Sequence, residues 1–495
     1  MMINKPTEEQ ERIFLFTKKR PENILIKAYA GCGKTTTIVE AVRLLPKDKS
    51  ILFLAFNKHI QEELKTKLPE YVRCYTTYGL GTAAIKRKYG DKIQFDEFKI
   101  DKIILKKSKN WDLRDELKTD EDISYYLDNV KKLVNLCRLT LTLKPEYVPY
   151  LSEKYDIPIT KTKDIKRVLK VLDESTQDRK TFDYTDMIYL PAIDNGIWMF
   201  PQDYVFVDEI QDLNRCQIRM IEKVLKKDKS SGKYTGRLIC VGDFFQGIYG
   251  FNAADEKSFE WFEKFPNTKT LPLSTSFRCS KNVILKAQEI VPEIKALPNA
   301  PEGIVRDGNV IEEAQSGDFV LCRTTMPLIK LFFEFLTQHR KAIIKGSDIG
   351  LHLIELIGKI KSIDSLIGFW ETELIKYKKD LKSEGVLNPN EHSGYTALED
   401  KVMTLLFLAK LSSSIVDLKN KIGLIFTDEI QGICLSTVHK VKGLEANRVF
   451  IVRPDLLPMK NTKSWQYIQE KNLEYVAYTR ARLELIFDRE WSDEK

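Results

Sequence analysis

The chain has 495 residues, 43% hydrophobic and 30% charged, with a net charge of +8. That is the balance of an ordinary globular protein, and at roughly 150 residues per domain it predicts about three or four structural units. No apolar run approaches the roughly 18–20 residues that span a bilayer, the N-terminus "MMINKPTEEQERIF" lacks a secretion-signal pattern, and eight cysteines without a CxxC pair argue against zinc or iron–sulfur sites and for reduced thiols.

Residues 1–90 read as α/β: an apolar strand "NILIKAYA", a glycine loop, an amphipathic helix from Lys34 and a second strand "SILFLAF". Residues 91–180 read as mainly helical, with apolar residues three and four apart. Lys106, Lys107 and Lys109 there are either phosphate-backbone contacts or a solvated helix face. Residues 181–275 return to α/β with the strand "YVFVDE", a helix around "CQIRMIEKVL" and the strand "RLICVGD". Residues 303–345 and 430–490 repeat the pattern with "DFVLCRT", "GICLSTVH", "RVFIV" and "LELIF". Between them, about 346–429 is again helical, as in "LHLIELIGKI" and "KVMTLLFLAKL". Strands alternating with helices predict two parallel sheets covered on both faces, with a cleft between them and two helical insertions. Acids number 71 against 79 bases, so a polyanion would be met by a local groove rather than a basic tail.

"AYAGCGKTTT" at 28–37 follows a strand and opens a helix, the context a phosphate-binding P-loop requires. Gly31 and Gly33 let backbone N–H groups approach phosphate oxygens. Lys34 would reach the β- and γ-phosphates, and the Thr35 hydroxyl would help hold Mg²⁺. Ala28 stands where the strict pattern has glycine. The strand "VFVDEIQD" ends in two adjacent acids. Asp208 is expected to hold Mg²⁺ and Glu209 to act as general base for the attacking water, two tasks that need separate carboxylates. The next strand ends in "VGDFFQGIYGF", where Gln246 is the candidate γ-phosphate sensor. Tyr249 and Phe251 follow as candidate base-stacking rings, with core packing as the alternative.

These residues, in this order, resemble superfamily 1 DNA helicases of the UvrD/Rep type over about two-thirds of the chain. "PTEEQ" resembles the Q motif, which implies that Gln10 reads adenine. "AYAGCGKT" resembles the family's P-loop, where alanine at the first position is usual, and implies nucleotide contacts from Ala30, Gly31, Cys32, Gly33, Lys34, Thr35 and Thr36. "FLAFNK" and "TTYGLG" resemble DNA-facing motifs and imply contacts from Phe56, Asn57, Thr76 and Tyr78. "FDYTDMI" resembles the segment preceding motif II, "VDEIQD" motif II itself, and "VGDFFQGIYGF" motif III. "LSTSFRCS" resembles motif IV, which implies that Phe277 stacks on adenine and Arg278 meets the γ-phosphate. "LSTVHKVKGLE" resembles motif V, with Thr437 and His439 near DNA and Glu445 at the ribose. "EYVAYTRAR" resembles motif VI and makes Arg480 the second γ-phosphate arginine. Thr36, Asn252 and Ala253 depart from the family's usual arginine or glycine, weakening one expected nucleotide contact and one DNA contact.

The resemblance implies an α/β fold of two RecA-like P-loop parallel-sheet domains with mainly helical insertions. The expected domain 1A comprises 1–90 and 181–272, and the insertion 1B comprises 91–180. Domain 2A comprises 273–345 and 430–495, with a small helical insertion at 346–429 in the 2B position. The implied activity is Mg-ATP-driven 3′-to-5′ movement on single-stranded DNA with duplex unwinding, in replication, repair or recombination. Implied cofactors are ATP and Mg²⁺. Implied partners are single-stranded DNA, single-/double-strand junctions and repair or replication proteins, for a monomer in the cytoplasm or nucleoid and not at a membrane. Two alternatives stay open: a translocase that strips proteins from DNA, and an ATPase subunit of a recombination or phage-defence complex.

Overall fold

The structure is a computed structural model and describes residues 5–491 except 118, 251–252, 255–256, 359, 384–388, 392 and 461–462. It divides into two compact units, Met1–Ala28 with Gly33–Leu273, and Tyr29–Cys32 with Ser274–Lys495.

The first unit contains strands β1 (Asn23–Ala28), β2 (Ile51–Ala55), β3 (Arg73–Thr76), β4 (Gln94–Phe95), β5 (Thr181–Phe182), β6 (Tyr204–Val207), β7 (Arg237–Gly242) and β8 (Thr268–Leu273). Six of them form one sheet in the order β3-β2-β6-β7-β1-β8, and every pairing is parallel. All five residues of β2 are buried, and so are β6 after Tyr204 and β7 after Arg237. Such continuous apolar runs are what a sheet covered on both faces demands. β4 and β5 pair apart from it, at the two ends of a helical stretch that includes Lys99–Ser108, Asp120–Leu139, Val148–Lys154 and Thr162–Gln177. The last of these helices buries Ile165, Val168, Val171 and Leu172 along one stripe. These residues join Leu25, Leu52 and Val205 of the sheet in a single hydrophobic core, so the insertion is packed into this unit.

A buried ionic cluster pins that packing. Arg138, on the helix Asp120–Leu139, is fully buried and donates to both oxygens of Asp183 at 2.7 and 2.8 Å and also to Asp186. Lys99, from the first insertion helix, donates to the other Asp186 oxygen at 2.7 Å. The Asp183 and Asp186 carboxylates also accept each other's backbone N–H, which fixes the turn into the helix Asp186–Ile193. Burial raises the Asp186 pKa, and the charges of Arg138 and Lys99 pull against it. The segment "FDYTDMI" thus ties the insertion to the sheet unit.

The second unit contains β9 (Thr275–Ser276), β10 (Lys295–Ala296), β11 (Ile304–Asp307), β12 (Phe319–Cys322), β13 (Ala342–Lys345), β14 (Phe426–Thr427), β15 (Ile433–Thr437), β16 (Ala446–Val452) and β17 (Ala481–Asp488). Seven form a parallel sheet in the order β11-β17-β16-β12-β15-β13-β14. The helices Ser347–Ile357, Ile363–Ser383, Ser393–Lys410 and Ile415–Ile425 lie between β13 and β14 in sequence. Asp400, on the third of these, accepts from the Thr325 and Met326 amides at 2.8 and 2.9 Å, where the helix Met326–Thr337 starts. A carboxylate at a helix N-terminus satisfies amides that have no partner within the helix. The expected fold class, α/β with two parallel sheets and helical insertions, is what the two units display. Among the described residues, no helix is long and apolar enough to cross a membrane.

Candidate functional site

Parallel strands bring their C-terminal ends to one edge of a sheet, and the expected nucleotide residues of the first unit gather there. The helix Lys34–Arg43 starts at Gly33, whose φ of 72° lies in the left-handed region that glycine occupies without strain. Lys34 forms an ion pair with Glu209 at 2.9 Å. Glu209 itself has a φ of 52°, so the chain turns sharply as it leaves β6. Its amide donates to Asp208 Oδ1 at 2.9 Å, and its carboxylate also accepts from the Gln211 side chain. The Gln211 side-chain oxygen, Oε1, in turn accepts the Asp243 amide at 3.1 Å, linking the ends of β6 and β7. Gln246 donates to Asp243 at 2.7 Å.

The electrostatics follow from burial. Asp208 is 2% exposed, and desolvation together with the Glu209 charge pushes its pKa up to about 7, while Lys34 and a Thr35 hydrogen bond oppose the shift. Asp243 is fully buried, and desolvation pushes it up to about 6 against the pull of Lys34. For Lys34, burial acts to lower the pKa, but Glu209, Asp243 and Asp208 outweigh it and the net shift is upward. Three carboxylates around one ammonium leave an excess of negative charge. A hard divalent cation at Asp208 and the Thr35 hydroxyl would relieve it, so the donor set fits Mg²⁺ held mainly by substrate phosphates. Among the described residues, no group of three or more His, Cys, Asp or Glu side chains could hold a metal by itself.

Asp243 was not among the expected residues. Its signal was a second apolar strand ending in an acid, "RLICVGD". Gln10 is 2% exposed and already employed: it completes a capping box with Thr7 and donates to Thr37 at 3.0 Å. Thr36 is exposed, and Ala30 and Cys32 are buried.

The expected nucleic-acid residues of this unit fall into two kinds. Phe56 and Tyr249 stack on each other, with centroids 6.3 Å apart and planes 15° from parallel. Asn57 and Thr76 are helix caps: Asn57 accepts the Ile60 amide at 2.9 Å and Thr76 the Gly79 amide at 3.0 Å. They therefore set two helix N-termini at the ends of β2 and β3, a favourable place for phosphate. The pattern of a small polar residue at the start of a helix was legible, but its capping role was missed. Tyr78 is exposed. Phe251 lies outside the described residues. Tyr184, 64% exposed and edge-on to Phe95 at 4.5 Å, is a further surface ring that sequence reasoning did not single out.

In the second unit, Arg278 pairs with Glu445 and donates to the Thr479 carbonyl at 3.3 Å. Gly31, grouped with this unit, has a φ of +71°, and a Cβ there would stand 2.5 Å from the Arg278 Cβ, so both conformation and space require glycine. The Gly31 carbonyl accepts the Phe277 amide at 2.9 Å, and the Phe277 ring is 46% exposed. Arg480 is 1% exposed and donates to neutral acceptors: the carbonyls of Val476 and Leu444 at 2.9 and 3.0 Å and the Thr479 hydroxyl at 3.3 Å. Burial, reinforced by the Arg278 charge, lowers its pKa. Thr437 is buried at the end of β15. His439 follows in a short turn, and desolvation with the charges of Arg323, Lys440 and Lys442 lowers its pKa well below the usual histidine value. Arg323, unforeseen from sequence, donates to Glu470 at 2.6 Å.

Residues 7–267 match the UvrD/REP helicase N-terminal domain, and residues 332–489 match the UvrD-like helicase C-terminal domain. The F-box DNA helicase protein 1 of Schizosaccharomyces pombe is 26% identical over 97% of this chain and 57% of its own length. The F-box DNA helicase 1 of Gallus gallus is 24% identical over 97% of this chain and 48% of its own. The ATP-dependent DNA helicase PcrA of Staphylococcus epidermidis is 25% identical over 54% of this chain and 38% of its own. The chain thus spans about half the length of the F-box helicases it matches.

Proposed function

Because the chain belongs to the UvrD/REP helicase family, we propose that it hydrolyses Mg-ATP to move along single-stranded DNA and open duplex ahead of it. The observation that carries this reading is the cluster of Lys34, Asp208, Glu209, Asp243 and Gln246 at the strand ends behind a glycine loop. We assign 1–90 and 181–272 to the nucleotide-binding domain with 91–180 as its insertion, and 273–345 and 430–495 to the second domain with 346–429 as its insertion.

Each residue then has a task. Lys34 exchanges Glu209 for the β- and γ-phosphates, which frees Glu209 to take a proton from the attacking water. When bound, Mg²⁺ at Asp208 and Thr35 supplies charge neutralisation on the phosphate oxygens. Gln246 orients polar groups at the γ-phosphate from its anchor on Asp243. Phe277 offers a stacking face for adenine, Glu445 a contact for the ribose and Gln10 an edge contact for the base. Arg278 gives up Glu445 for phosphate. Arg480, buried among neutral acceptors, gains an anionic partner as charge develops in the transition state. Phe56, Tyr249 and Tyr78 stack on bases, with Asn57, Thr76, Thr437 and His439 beside the strand. Movement is 3′ to 5′, by kinship with the family.

The test is Tyr249→Ala. Basal ATP hydrolysis should stay within about two-fold of wild type, and its stimulation by single-stranded DNA should fall by about ten-fold or more, since one base stack is worth about 1–3 kcal/mol. Full stimulation would make Tyr249 a packing residue. In the same assays 3′-tailed duplexes should open and 5′-tailed ones should not.

A further inference from the structure

The segment 195–202, just before β6, alternates. Ile197 and Met199 are buried, while Trp198 and Phe200 are 51% and 44% exposed and edge-on to each other at 4.5 Å. Two large apolar rings left outside, side by side, while Ile197 and Met199 between and before them turn inward, are costly unless something covers them. Two guanidiniums attend them. Arg87 lies over the Phe200 ring at 4.3 Å and donates to the Trp198 carbonyl at 3.0 Å, and Arg73 lies 5.8 Å from the same ring. Among the described residues, neither arginine has an ion pair with a carboxylate. The segment is held in place: the Gln202 side chain donates to the Phe200 carbonyl at 2.7 Å, and the Gln202 amide donates to Val224 at 2.8 Å.

The location separates this patch from the nucleotide edge. Arg73 begins β3 and Phe200 precedes β6, so the patch sits at the N-terminal ends of strands whose C-terminal ends carry Thr76 and Asp208. The helix Thr77–Tyr89 joins the two edges. It contains no acid, starts beside exposed Tyr78 and ends in Lys86, Arg87 and Lys88. Tyr78, Thr82 and Lys86 follow one another at four-residue spacing along one side of the helix, and Arg87, about half a turn round from Tyr78, carries that side over to Phe200. From Tyr78 to Arg87 the helix rises about 14 Å, roughly four nucleotides at duplex-like spacing.

We propose that this acid-free helix face and the Trp198–Phe200–Arg87–Arg73 patch form an outer track for single-stranded nucleic acid, continuing the strand beyond Tyr78. The proposal rests on the nucleic-acid reading above. Trp198 supplies a stacking face, and Arg73, Arg87 and Lys86 neutralise phosphates. An acidic peptide is the other ligand that such charges could attract. The acid-free connection to Tyr78 favours the nucleic acid.

The experiment is a length series, dT4 to dT24, measured by fluorescence anisotropy on wild type, Trp198→Ala, Trp198→Phe and the double variant Arg73→Ala/Arg87→Ala, with a random Glu/Tyr copolymer as the acidic-peptide probe. For the shortest oligonucleotides all four proteins should bind alike. With longer ones, Trp198→Ala should bind about ten-fold more weakly and reach its plateau about four nucleotides earlier. Trp198→Phe should restore most of the affinity, and the double variant should lower the log–log salt slope by about two. Superimposed length series for wild type and Trp198→Ala would overturn the track while leaving the function above intact. Retained dT24 binding with lost copolymer binding would overturn it in favour of protein docking. A wild type that binds no oligonucleotide would overturn the function first and the track with it.

Discussion

Replacing Glu209 with glutamine should lower the maximal rate of ATP hydrolysis by about 10² to 10⁴-fold, the usual worth of a positioned general base. The substitution keeps the side chain's size and leaves the turn at Glu209, with its φ of 52°, undisturbed. It removes the carboxylate that takes the water's proton. It also removes the charge that pairs with Lys34 at 2.9 Å. Lys34 then meets phosphate without first giving up an ion pair, so nucleotide affinity should stay the same or tighten. A fall in the rate without loss of binding marks an interaction made only in the transition state. Steady-state kinetics with an independent nucleotide-binding measurement checks both halves. A rate within ten-fold of wild type would remove Glu209 from the base role.

Replacing Arg138 with methionine should cost about 3–5 kcal/mol of stability, the range for breaking a buried ion pair by deleting one partner. The guanidinium is fully buried and bridges Asp183 and Asp186, so its loss takes the cation from Asp183 and leaves Asp186 with Lys99 alone. The damage should also be local. Arg138 belongs to the inserted helix and the acids lead into the helix Asp186–Ile193, so proteolysis within 91–180 should accelerate before the sheet unit unfolds. Denaturant unfolding followed by mass spectrometry of early cleavage products separates the two effects. A cost below about 1 kcal/mol would show the cluster to be incidental to packing.

The strands and the acids after "VFV" were legible because buried parallel strands must be apolar throughout, and a charge at their end is conspicuous. "RLICVGD" carries the same signal, and Asp243 at its end was overlooked because no motif role drew attention to it. The helical insertions were legible from apolar spacing alone. Their attachment was not, because it depends on pairings between residues far apart in sequence. Arg138 is one basic residue on a polar helix face until Asp183 and Asp186 are placed beside it, 45 and 48 residues on. Arg323 and Glu470 are separated by 147 residues. Gln10 and Asn57 show another limit: motif reading gives a residue one role, while its local geometry gives it a second as a cap. Trp198 and Phe200 were unreadable for a simpler reason. In a run such as "GIWMFP" every residue but the glycine and proline is apolar, so only the fold decides which ones face outward.

The central claim is that nucleotide turnover in this site drives work on DNA. ATP hydrolysis by wild type and Lys34→Ala, each with and without single-stranded DNA, tests it most directly. The account predicts turnover by wild type that rises about ten-fold or more with DNA, and no turnover above background by Lys34→Ala while its DNA binding persists. DNA-stimulated hydrolysis at the wild-type level in Lys34→Ala would contradict it.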